Sequence, residues 1–330
     1  MLHSIQFMRA LAALFVVLGH AIWKGEQYSD GSLSWFTIGG AGVDLFFIIS
    51  GFIMCWSTKE KALTPPKFII ARIKRIIPLY WLLTTLSLGV YLLWPEKVNS
   101  SAKNGTDILA SYFLLPTDAT YLLAVGWTLS FEFYFYLIFS LGMLCSVNYR
   151  YVLPIFVLLS VSILGFIIQP ESAAVVFFTN SLVLEFIFGI LIFIAFQRYS
   201  FPPPILSSVL FIAGTALLLS NGFNDLPRFI HYGIPCLLIF IGLLGTESYL
   251  STHPRLKKIC HFLGDSSYSL YLSHPFTLVI TAIIFSKIGL NEYGIVFILL
   301  LTLSSVLAGY LCYIICEQGL NRLINKILKK

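Results

Sequence analysis

Seven ionisable side chains fall inside apolar stretches of this sequence: Arg9, His20, Asp44, Glu132, Glu185, His274 and Glu317. A charge in hydrocarbon costs several kcal/mol unless it is paired or solvated, so each marks a candidate functional group. Seven are too many for lipid-facing anchors, and they are expected to converge on an interior polar cavity. His20 is the candidate general base. Imidazole titrates near neutral pH, and a hydroxyl is a poor nucleophile until a positioned base takes its proton.

Arg9 and His20 are separated by ten residues. Eleven helical steps of about 100° return to nearly the same face, roughly 16 Å further along the axis. One helix thus holds a cation near one membrane surface and an imidazole nearer the other, an arrangement that suits a path across the bilayer. The bland alternative is a snorkelling arginine with a histidine bonded to nearby backbone. Asp44 is placed to match His20 in depth, where a carboxylate on the far ring nitrogen would fix the tautomer; pairing with a different helix is the competing role. Glu132 is expected to pair with Arg9 or His20, or to bind substrate. Arg72 and Arg75 are three residues apart and share a helix face. Two such guanidinium groups at a membrane edge can clamp phosphates bidentately, bind lipid headgroups or set topology. Pro275 predicts a helix break at His274, because proline disfavours the helical conformation before it. That break would free backbone carbonyls toward a cavity. His274 itself either binds substrate or hydrogen-bonds within the bundle. Glu185 and Glu317 carry no motif beyond burial.

These residues need elements to hold them. Hydrophobic residues make up 58% of the 330 residues and charged ones 11%. A soluble domain carries about 25% charged residues, so this chain is of the membrane class. Apolar stretches long enough to cross about 30 Å of hydrocarbon fall near 5–23, 36–57, 76–94, 121–146, 151–169, 172–196, 204–220, 228–245, 268–287 and 294–316. The expected fold is all-α, a polytopic bundle of about ten spans forming one domain over residues 1–330. No small-residue cleavage site follows the first stretch, which reads as a span rather than a leader. A cytoplasmic N-terminus puts fifteen of the 21 lysines and arginines in inner loops and five in outer ones. That bias predicts both termini in the cytoplasm and explains the net charge of +6 without nucleic acid. The outer loop from Pro95 to Thr120 is then the longest, with Asn99, Ser100, Ser101, Lys103, Asn104 and Asp107 as its polar residues. It is either a solvated connector or a contact for a polar substrate. Residues 321–330 form a short basic amphipathic segment suited to the membrane surface. The six cysteines form no CxxC pair, and neither a disulfide nor a metal site is expected.

Five segments in this order resemble the acyltransferase 3 family of membrane acyltransferases, particularly bacterial exopolysaccharide-type O-acetyltransferases. They are Gln6–Ala10 through His20, GVDLFFIISGF at 42–52, RIKRIIPLYW at 72–81, WTLSFEFYFY at 127–136 and YSLYLSHP at 268–275. The resemblance implies ten spans in a cell inner membrane. It implies an acyl-CoA donor, usually acetyl-CoA, met from the cytoplasm, and a carbohydrate or lipid-linked glycan hydroxyl as acceptor on the outer side. It implies no bound cofactor. His20, Asp44 and Glu132 would then be catalytic, with Arg9, Arg72 and Arg75 toward the donor. Trp127, Ser130, Tyr271 and His274 would meet the acceptor. Family members often carry a proline soon after a glutamate near the C-terminus; here Glu317 is followed by Gln318 and Gly319, so it is given no role. Some relatives add a soluble periplasmic domain, which is absent from this sequence, so the chain is expected to act alone or with a separate partner. The competing class is an ion- or proton-coupled transporter, with the inward charges as a relay. Against it, no inverted repeat is apparent.

Overall fold

The computed structural model describes residues 2–29, 31–61, 63–95, 98, 105–147, 149–199, 201–220 and 226–327. The loop residues Asn99, Ser100, Ser101, Lys103 and Asn104 lie outside them. Fourteen α-helices carry the described chain: α1 His3–Tyr28, α2 Ala41–Thr58, α3 Pro65–Leu93, α4 Ile108–Phe113, α5 Gly126–Leu141, α6 Val152–Ile168, α7 Ala173–Phe178, α8 Leu184–Arg198, α9 Pro204–Leu219, α10 Ile234–Leu244, α11 Glu247–Thr252, α12 Pro254–Lys287, α13 Gly294–Cys312 and α14 Gln318–Ile327. Strands β1 Thr106–Asp107 and β2 Thr120–Tyr121 form one short parallel bridge. Eight helical stretches are long and apolar enough to cross a membrane, and two shorter apolar helices, α6 and α9, accompany them.

The helix surfaces are those of a membrane bundle. On α13, Phe297, Ile298, Leu301, Ser305 and Gly309 face inward, whereas Leu299, Leu303, Leu307 and Leu311 form an exposed stripe at four-residue spacing. A leucine stripe turned outward is costly in water and neutral in lipid.

The described helices pack as two compact units. One comprises Met1–Ile49 with Ala195–Gly319, the other Ser50–Ile194 with Leu320–Lys330. In the first, α1 and α12 run parallel, as two odd-numbered spans must. His3 meets His261, Ala13 and Val17 meet Leu270, and Ala21 and Ile22 pack with Leu278 and Ala282. Helix α13 returns antiparallel, bringing Phe297, Ile298 and Leu301 into the same cluster. Glycines permit the closest approaches: a Cβ on Gly19 would lie 2.9 Å from the Gly39 backbone, and one on Gly309 would lie 2.6 Å from the Leu270 backbone. Small residues let helix backbones approach where lipid supplies no hydrophobic drive. In the second unit an aromatic core forms around the face-stacked pair Phe135 and Phe186, whose centroids are 4.3 Å apart.

One sequence expectation needs correction. The helix is not broken at His274: α12 runs without interruption through Pro275. Packing against both α1 and α13 offsets the roughly 3 kcal/mol that an interior proline costs. The span expected at 172–196 is found at Ala173–Arg198, with a short break inside it: α7 stops at Phe178, and the Asn180 side chain accepts from the Leu182 amide at 3.0 Å. Asn favours such caps because its short side chain competes with the backbone for hydrogen bonds.

Candidate active site

Arg9 links to α12 through Gln6, and His20 meets α12 directly. Arg9 is buried, and its Nη1 donates to Oε1 of Gln6 at 3.0 Å. Gln6 Nε2 in turn donates to Oδ1 of Asp265 on α12 at 2.6 Å. At the other end of α1, Nδ1 of His20 lies 2.7 Å from Nε2 of His274. The two rings stack with centroids 5.0 Å apart and planes 16° from parallel. His20 is exposed, whereas His274 is completely buried. The α1–α12 seam therefore carries two polar stations, one cationic and one imidazole, with the apolar layer of Ala13, Val17 and Leu270 between them.

Asp44 does not orient His20. Its side chain is fully buried and held by Arg228, with Nε to Oδ1 at 3.0 Å and Nη2 to Oδ2 at 2.7 Å. Arg228 Nη2 also donates to the Gly40 carbonyl at 3.2 Å, and the guanidinium lies 5.3 Å from the Tyr232 ring centroid. Arg228 precedes a π-helical turn, Phe229–Gly233, an insertion frequent at functional sites. The sequence counted Arg228 only as a loop charge, and no motif marks it. Tyr271 is buried edge-on to Phe46 at 5.8 Å, next to the His274 ring. Glu317 accepts from Ser269 at 2.5 Å, an internal pair between a π-helical turn and α12.

The second unit holds the remaining candidates. The Glu132 carboxylate accepts from Ser50 Oγ at 3.0 Å and from the Tyr136 hydroxyl. Tyr136 lies one helical turn beyond Glu132, a spacing that flags the pair in sequence. Arg72 and Arg75 diverge. Arg75 is exposed, whereas the Arg72 guanidinium is turned inward, 5.5 Å from the Phe68 ring and 3.7 Å from Met54 Sδ through Nη1. The buried Nε of Arg72 has no hydrogen-bond partner, so this cation retains donor capacity for an anion. Trp127 packs edge-on against Phe131 at 6.0 Å. The buried Ser130 hydroxyl donates to Tyr121 Oη at 2.9 Å, and Tyr121 donates to the Leu115 carbonyl at 2.6 Å. Burial holds the Tyr121 phenol above its ordinary value, so it remains a proton donor. Ser130 therefore anchors the 105–121 segment through Tyr121.

The first unit thus carries an exposed imidazole at His20, and the second an inward guanidinium at Arg72 whose Nε is unpartnered. Over residues 2–315 the chain matches the family described as an acyltransferase domain. It is similar to the exopolysaccharide production protein ExoZ of Rhizobium meliloti (strain 1021), with 33% identity over 300 residues, covering 87% of this chain and 91% of that one. It is also similar to the peptidoglycan O-acetyltransferase OatA of Listeria monocytogenes, with 27% identity over 316 residues, covering 82% of this chain but 48% of that protein. The acyltransferase MdmB of Streptomyces mycarofaciens is 33% identical over a shorter 151 residues, 42% of this chain and 38% of that one. No solved structure matches the chain. Together with the apolar helical bundle, the match across nearly all of the sequence makes this chain a multi-pass membrane protein and a member of the acyltransferase 3 family.

Proposed function

We propose that this protein O-acetylates a bacterial surface polysaccharide or its lipid-linked precursor, using acetyl-CoA from the cytoplasmic side of the inner membrane. The observation that carries the reading is the exposed His20 imidazole on the same seam as Arg9, in a chain of this family. In the proposed reaction the acceptor hydroxyl oxygen attacks the thioester carbonyl. A C–O bond forms and the C–S bond breaks. His20 takes the hydroxyl proton and returns it to the departing thiolate, so the products are the acetyl ester and free CoA.

The unsatisfied Nε of Arg72 supports a seat for the donor's phosphates, with the exposed Arg75 as a second cation one turn away. The similarity to an exopolysaccharide production protein and to a peptidoglycan O-acetyltransferase supports a glycan acceptor. The lysine and arginine distribution supports cytoplasmic termini. Two measurements test the reading. Purified protein in lipid should release CoA from acetyl-CoA only when host polysaccharide is supplied. Mass spectrometry should find the O-acetyl groups of that polysaccharide missing from cells that lack the protein. Unchanged O-acetylation in those cells would refute it.

A further inference from the structure

The proton positions in the His20–His274 pair follow from a partner that can play only one role. Nδ1 of His274 lies 3.3 Å from the Leu270 carbonyl oxygen. A carbonyl only accepts, so Nδ1 of His274 carries the proton. In neutral His274 the lone pair is then on Nε2. That atom faces Nδ1 of His20 at 2.7 Å, so His20 donates from Nδ1. Neutral His20 is left with its basic lone pair on Nε2, on the residue of the pair that is exposed.

We propose that His274 is a positioning residue: through the Leu270 carbonyl it holds His20 in the Nδ1–H tautomer and presents the basic Nε2 to the acceptor hydroxyl. This rests on the reading of His20 as the general base. Asp44, the carboxylate expected from the sequence to orient His20, is committed to Arg228. A neutral ring fixes the tautomer without placing a permanent charge beside the base. When His20 takes the acceptor's proton, its bond to His274 becomes charge-assisted and shortens.

The test combines selective 15N-histidine NMR of the purified protein with the O-acetyl content of host polysaccharide per unit of membrane protein. The His20 resonances are assigned by their loss in His20→Ala. In the wild type they should report a protonated Nδ1 and a bare Nε2. In His274→Ala that signature should be lost and O-acetylation should fall by roughly 10²-fold, the lower end of what a general base supplies. His274→Gln keeps a carbonyl acceptor of similar reach, so it should preserve the signature and stay well above His274→Ala. A protonated Nε2 in the wild type, full activity in His274→Ala, or equal loss in both His274 variants would overturn the relay. If His20→Ala itself retains activity, the general-base reading falls, and the tautomer spectra still decide whether His274 sets the ring.

Discussion

Asp44 and Arg228, 184 positions apart, form a two-pronged ion pair in which the carboxylate is wholly buried and the arginine about one-third exposed. Removing the arginine alone strands a buried charge. Arg228→Ala should therefore destabilise the detergent-solubilised protein by about 2–4 kcal/mol, moderated by the arginine's partial exposure. Removing both charges, with Asp44→Asn and Arg228→Ala together, should cost less than Arg228→Ala alone. Thermal melting of the three variants measures this. Acetylation per folded molecule decides between two roles for Asp44: an anchor leaves it near wild type in Asp44→Asn, whereas a group acting in the chemistry would reduce it by orders of magnitude.

His20→Ala should abolish O-acetylation while membrane abundance stays near normal. The side chain is exposed and makes a single hydrogen bond, to His274, so its loss removes little packing. The assay is polysaccharide O-acetyl content against immunoblotted membrane protein. A well-expressed His20→Ala variant with full activity would refute the role.

Arg72 and Arg75 should separate on substitution. Arg72→Ala should raise the apparent KM for acetyl-CoA at least tenfold, because its inward guanidinium has donors to spare. Arg75→Ala, at an exposed position, should raise it less. Arg72→Lys should rescue only partly, since an ammonium cannot make the forked contact. Steady-state kinetics over donor concentration reads all three. An unchanged KM in Arg72→Ala would return this pair to a topology or lipid role.

The helical fold and the Arg9–His20 seam were legible because both depend on local periodicity: apolar length gives spans, and eleven residues return to one helix face. Partner choice was not legible, because it is set between elements far apart in the chain. The sequence offered Asp44 either His20 or a partner on a different helix, and nothing in its local residues points to Arg228, which reads there only as a loop charge. The break expected at His274 failed for a related reason. Proline's local preference is real, but the packing of α12 on α1 and α13 overrides it. The outward difference between Arg72 and Arg75 was equally hidden, since three-residue spacing specifies a shared face and not which guanidinium turns in.

Gly19→Ala should damage the site without touching its chemistry. Its Cβ would lie 2.9 Å from the Gly39 Cα, so backbone must move, and Gly19 immediately precedes His20. Overpacking of this kind costs about 1–3 kcal/mol. Melting temperature and O-acetylation should fall together. Gly89→Ala, where a Cβ meets nothing, should alter neither.

The last expectation concerns direction. If both termini are cytoplasmic, a cysteine placed at Ser101 in a background free of native cysteines should label with an impermeant maleimide in cells whose outer membrane alone is permeabilised. Ser101 sits in the polar run between Trp94 and Thr106, so its sequence context favours access to reagent. A cysteine at Lys326, in the basic amphipathic helix α14, should label only after the inner membrane is opened. The parallel course of α1 and α12 fixes the relative sense of the two spans but not which surface they start from; the labels settle that. The reversed pattern would place Arg72 and Arg75 outside, where they could not meet a cytoplasmic thioester. The acetyl-CoA donor would then be abandoned before the fold, since helix packing in each unit is indifferent to which side carries the donor.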